Sequence, residues 1–102
     1  MSFNLRLLEQ SKAELADAVE WYETREVGLG RDLLDEVMAS FESIERDPTR
    51  FVLDESYGGR IVRTCMLRRF PYRMIFEVRK DEIVVLAVAH HRRQPGFWHK
   101  RR

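Results

Sequence analysis

Cysteine is almost missing: Cys65 is the single one in 102 residues. No intramolecular disulfide can form, so packing alone must hold the fold, and a reducing compartment, the cytoplasm, is the expected setting. No apolar run approaches the ~18 residues that cross a bilayer, so no membrane association is expected. The opening MSFNLRLLEQS carries too short an apolar run for a secretory signal. There is no internal repeat and no low-complexity segment. The sequence also lacks a Walker loop, a Rossmann glycine pattern, a nucleophile elbow and HExxH. Those absences remove the common signatures of nucleotide, serine-hydrolase and zinc-protease chemistry. His90, His91, His99 and Cys65 lack the usual spacing of a zinc site, so neither metal nor cofactor is expected.

What is present describes one soluble globular domain over residues 1–102, with 44% hydrophobic and 34% charged residues. The net charge of +1 hides a division. Residues 1–55 hold 14 Asp+Glu against 6 Lys+Arg, and residues 56–102 hold 3 against 12. A net of −8 faces a net of +9, summing to +1. The basic half invites an anionic or acidic partner; alternatively an acidic helical layer lies against a basic sheet.

The pattern along the chain predicts β-α-α-β-β-β. Phe3 to Leu8 is a short strand. Ser11 and Glu14 have capping-box spacing and place the first helix start there. Leu15, Ala18, Val19 and Tyr22 recur at helical spacing to about Arg25. Gly28 and Gly30 make the break. Leu33, Leu34, Val37, Met38, Phe41 and Ile44 form the stripe of a second helix, which Asp47-Pro48 stops. DPTRFVLDESYGGR reads as a loop. RIVRTCMLRRF, YRMIFEVR and IVVLAVAHH read as the strands of a meander, the last apolar on both faces. The expected fold is therefore two-layer α+β. A helical hairpin packs on one face of a small, mainly antiparallel curved sheet, and the other face lies open, lined by Arg and His.

The basic half uses ten Arg and two Lys. Arg presents a planar fork suited to phosphate and carboxylate. Arg63 and Arg73 fall on neighbouring strands and can form one anion-binding patch if they share a face. His90 and His91 are the natural acid–base candidates. Adjacent strand residues point to opposite faces, so at most one joins a given site. Phe97 and Trp98 can stack on bases or close over a core edge. Tyr57 and Tyr72 are acid–base candidates only if their pKa values are shifted.

AVEWYE on the first helix, GLG before the second, FPYRMIFEV on a meander strand and AVAHHRRQPGFW at the end, taken in order, resemble the RelE/ParE toxin superfamily. More closely, they resemble its ParE-like, plasmid-stabilisation branch, over roughly Phe3 to Trp98. The resemblance implies the toxin of a type II toxin–antitoxin module, neutralised by a cognate antitoxin in a hetero-oligomer. ParE-like members are linked to inhibition of DNA gyrase, whereas RelE-like members cleave mRNA at the ribosome. For a ParE-like toxin the target contact falls to Arg63, Arg68, Arg73, His90, Arg92, Arg93 and Trp98, in and around the basic segment 90–102. The antitoxin contact falls to Trp21 and Tyr22. For a RelE-like endoribonuclease the catalytic set is Arg63, Arg73, His91 and Arg93. The C-terminal Tyr or His usual in that branch corresponds to Phe97-Trp98 here, and RelE's lysine-rich strand is missing. Both departures favour the ParE-like alternative.

Overall fold

The computed structural model describes residues 3–54 and 59–101. The chain runs β1 (Asn4–Leu7), α1 (Glu9–Arg25), α2 (Leu29–Arg46), a short 3-10 turn (Pro48–Arg50), β2 (Val52–Asp54), β3 (Val62–Met66), β4 (Tyr72–Arg79) and β5 (Glu82–His90). Strand order is β1-β5-β4-β3-β2, with β1 parallel to β5 and the other pairs antiparallel. This is the expected α+β architecture with one addition. Val52–Asp54, expected as loop, pairs with β3 as an edge strand; three residues are too few to show a period of two. No helix among the described residues is long and apolar enough to cross a membrane. Tyr57, Gly58 and Arg102 lie outside the described residues.

The helical hairpin closes through Glu23. Its carboxylate accepts the N–H groups of Gly28 at 2.9 Å and Gly30 at 3.0 Å, filling orphan donors at the start of α2. Gly28 has φ +91°, which suits glycine. Gly30 is needed for another reason. A Cβ there would lie 2.5 Å from the Val19 carbonyl oxygen, so the two helices approach this closely only over a bare backbone. Leu33, Val37, Phe41 and Ile44 of α2 are buried as expected, but Met38 is half exposed at the edge of the stripe.

The α1 start differs from the capping-box expectation. The helix begins at Glu9, and Ser11 is buried within it, donating its hydroxyl to the Val85 carbonyl at 2.7 Å. The reason lies in the sheet. β1 covers the edge of β5 only as far as Val85, leaving later backbone groups of β5 to find other partners. Glu14 accepts the Val88 N–H at 3.0 Å, and Arg101 donates to the Leu86 carbonyl at 3.0 Å. Ser11 and Glu14, three apart on a helix, face the sheet edge together.

β5 is also bulged. Phe76 pairs with Val85 and Ile75 with Ala87, so Leu86 is the extra residue. Simple alternation therefore fails along this strand. Val85 and Val88 both pack on the helical side, whereas Val84, Leu86 and Ala87 pack on the other. That second face is not open as expected. Trp98, 1% exposed, packs over Val62, Ile75, Val84 and Leu86, with Phe97 at its margin. The C-terminal segment thus supplies a second, smaller core.

Candidate functional site

The pairing register settles where the arginines go. Arg63 is opposite Phe76, and Arg73 is opposite Met66 and Ala89. Cross-strand partners share a face, and residues three apart on β4 do not. Arg63 and Arg73 therefore lie on opposite faces, and the single patch they were expected to make does not exist. Arg63 faces the helical side and donates to the Thr49 and Phe51 carbonyls at 3.2 and 2.9 Å, pinning the 3-10 turn. Arg73 lies on the other side and donates to the His91 and Arg93 carbonyls at 3.3 and 3.5 Å. It braces the turn that leaves β5.

The two histidines also part. His90, the last residue of β5, follows Val88 onto the helical side, where its ring meets Tyr72 edge-on at 5.4 Å. Its Nδ1 accepts the Arg92 N–H at 3.1 Å, which places the ring proton on Nε2. His91 is past the strand and exposed, with its backbone N–H donated to the Pro71 carbonyl at 2.9 Å. Arg92 is exposed. Arg93 stands 3.5 Å from Glu14 and 4.2 Å above the Phe97 ring.

Arg68 and Arg69 occupy the β3–β4 turn, where Glu36 accepts their N–H groups at 2.7 and 3.4 Å and Asp32 pairs with the Arg69 guanidinium at 3.1 Å. Arg68 keeps its own guanidinium exposed. Trp98, expected in the target contact, is buried and unavailable to a partner in this conformation. The alternative weighed for it, closure over the core, is the observed one. On α1, Trp21 is half exposed under the Arg25 guanidinium, 4.2 Å from its ring, and Tyr22 meets Trp21, Phe70 and Tyr72 edge-on. Burial pushes the Tyr72 phenol up from its ordinary value, with Tyr22 adding to it, so Tyr72 is a neutral O–H donor.

Glu14, expected in a helix cap, and Glu77, with no expected role, are two anionic centres of the structure. Glu14 binds Arg101 through both oxygens at 2.9 and 3.0 Å, besides Arg93 and the Val88 N–H. Glu77 on β4 holds Arg60 and Arg79, both at 2.9 Å. Hydrogen bonding from Arg60 keeps the Glu77 carboxyl below the usual carboxylate range, against the opposing push of burial. Arg60 also donates to the His99 and Arg101 carbonyls at 3.0 and 3.2 Å, stapling the C-terminal segment down. Helix spacing could have flagged Glu14 as core-facing beside Ala18; nothing in the sequence marks Glu77. The acidic helices pair with the basic half through Asp32–Arg69, Glu14–Arg93 and Glu14–Arg101, but these arginines lie in the β3–β4 turn and the C-terminal segment rather than on the strands.

A helical hairpin on an open five-stranded sheet is the architecture of solved toxin–antitoxin proteins. The chain is similar to one in the chromosomal ParDE toxin–antitoxin system from P. aeruginosa, with TM-score 0.74 and 18% identity over 87% of this chain and 96% of that one. It is also similar to a chain of the RelBE2 toxin–antitoxin complex from Mycobacterium tuberculosis, with TM-score 0.59 and 20% identity over 88% and 99%. At such identities these likenesses show the fold. The family rests on sequence: a model of the ParE toxin of the type II toxin–antitoxin system, parDE, matches residues 5–95, and the chain belongs to that family. No curated protein matches it significantly.

Proposed function

We propose that this ParE-family chain arrests growth by binding a protein target in the cytoplasm, with DNA gyrase as that target, and that a cognate antitoxin neutralises it. The observation that carries this reading is the separation of Arg63 from Arg73 by the thickness of the sheet. Cleavage of RNA through its 2′-hydroxyl needs a base, a cation and an acid converging on one phosphate. Of the four residues such a site would draw on, Arg63 pins a turn, Arg73 braces a loop and His91 stands outside the strand. Arg93 is held between Glu14 and Phe97. A binding toxin needs only an exposed, positively charged surface. We assign that role to His90, Arg92 and Arg93 at the exit of β5, with Arg73 supporting them and Arg68 on the β3–β4 turn. We assign the antitoxin contact to Trp21 and Tyr22.

The test uses purified toxin with gyrase and relaxed plasmid. Supercoiling should stop at near-stoichiometric toxin, and Arg92→Ala combined with Arg93→Ala should restore it without unfolding the protein. Full supercoiling in the presence of excess folded toxin contradicts the reading.

A further inference from the structure

A cavity of about 630 Å³ lies between α1 and the end of β5. We propose that it is a carboxylate-binding pocket, receiving an acidic side chain or a C-terminal carboxylate from a protein partner. This deepens the reading of a toxin that acts by protein contact. Unpaired donors outnumber unpaired acceptors among its described lining residues. The phenols of Tyr22 and Tyr72 line the cavity and have no hydrogen-bond partner among the described residues. His90 has its Nδ1 occupied by the Arg92 N–H, so its Nε2–H is a further donor without an acceptor among the described residues. Arg92 also lines the cavity, and its guanidinium has no carboxylate partner among the described residues.

Acceptors are scarce by comparison. Glu14 lines the cavity, but both its oxygens are engaged by Arg101. Asp17 has no partner among the described residues but is exposed at the rim. A donor-rich hollow suits a group that only accepts, and an ionised carboxylate makes the stronger, charge-assisted bonds. A nucleobase fits poorly, because its polar edges mix donors with acceptors. A polynucleotide fits poorly as well. Asp17 lines the cavity, and Glu20 and Glu23 are exposed elsewhere on α1, so this helix would repel a phosphate chain. A carboxylate brings one charge and meets Arg92 first. Trp21, half exposed at the mouth, offers a flat apolar surface to a neighbouring aromatic residue of the partner.

The test titrates the purified protein with three short peptide probes and with uridine 5′-monophosphate. N-acetyl-phenylalanyl-glutamate amide carries only a side-chain carboxylate. N-acetyl-phenylalanyl-glutamine with a free C-terminus carries only a terminal one. N-acetyl-phenylalanyl-glutamine amide carries neither. NMR follows the Trp21 indole N–H and the His90 ring. At least one carboxylate probe should bind saturably and move both signals, which identifies the source, while the neutral probe should not. Tyr72→Phe and Arg92→Ala should each weaken that probe about tenfold, as loss of a hydrogen bond to a charged group does, with unchanged melting temperature. Equal binding of the neutral probe overturns the proposal. So does no binding of either carboxylate probe, unchanged affinity in both variants, or preferential binding of uridine 5′-monophosphate. Neither gyrase nor RNA takes part, so this proposal and the target assignment can fail separately.

Discussion

Arg101 reaches from the C-terminal segment to Glu14 on the first helix, gripping its carboxylate at 2.9 and 3.0 Å while donating to the Leu86 carbonyl at 3.0 Å. One guanidinium thus ties three parts of the chain that are distant in sequence. The pair is mostly buried, with side chains 15% and 18% exposed. Removing one partner leaves the other charged and poorly solvated. Arg101→Ala should cost about 2 kcal/mol, less than the penalty for breaking a fully buried pair because some solvent reaches both groups. Urea denaturation measures it. A loss below about 0.5 kcal/mol, the scale of ordinary surface substitutions, means the clamp is ornamental.

Trp98 closes the second core. Trp98→Ala leaves a hole over Val62, Ile75, Val84 and Leu86 and should cost about 3–5 kcal/mol. That is a large share of the ~5–15 kcal/mol available to a domain of this kind. Trp98→Phe, which keeps a ring, should cost less. Thermal melts of the two variants check the order. Equal, small losses would mean the C-terminal segment lies loosely on the sheet.

Glu77 sets an acid limit. Its carboxyl is held low chiefly by hydrogen bonding from Arg60 and less by Arg79. The folded pKa lies below the unfolded one, so the unfolded chain binds more protons in that range. The stabilisation is therefore present above the ordinary carboxylate pKa of about 4.3 and is lost as pH falls through the lower folded value. Glu77→Gln should be less stable at pH 7 and should show a shallower loss of stability from about pH 5 to about pH 3. Parallel acid limbs in the two proteins contradict the assignment.

Much of the fold was legible because its periods are strong. The stripe Leu33, Val37, Phe41 and Ile44 and the alternation Tyr72, Met74, Phe76 and Val78 each have a direct structural counterpart. What sequence could not show depended on tertiary pairing. Ser11 and Glu14 have the spacing of a helix cap, but the exposed edge of β5 recruits both. Ile75, an apolar residue among polar neighbours, and a last strand apolar on both faces are hints that the second face is covered; the cover is Trp98. The separation of Arg63 from Arg73 follows from a register that only the paired strands fix. The bulge at Leu86 likewise adds a residue that strict alternation along β5 does not contain. The tie of Arg93 to Glu14 is a tertiary fact of the same kind.

Gly30 tests the packing of the hairpin on which Trp21 and Tyr22 are displayed. Gly30→Ala forces a Cβ against the Val19 carbonyl and should cost about 1–3 kcal/mol, as overpacking does. Helix propensity alone would make the same change stabilising by about 1 kcal/mol. The sign of the change in denaturation midpoint decides between them.

The central claim is arrest by binding rather than by RNA cleavage. Its most direct test is induced expression in cells without the antitoxin, followed in the same cultures by plasmid topology and by primer extension on translated mRNA. The account expects growth to stop with relaxed plasmid and uncut message. New cuts within translated mRNA, with supercoiling unchanged, would contradict it.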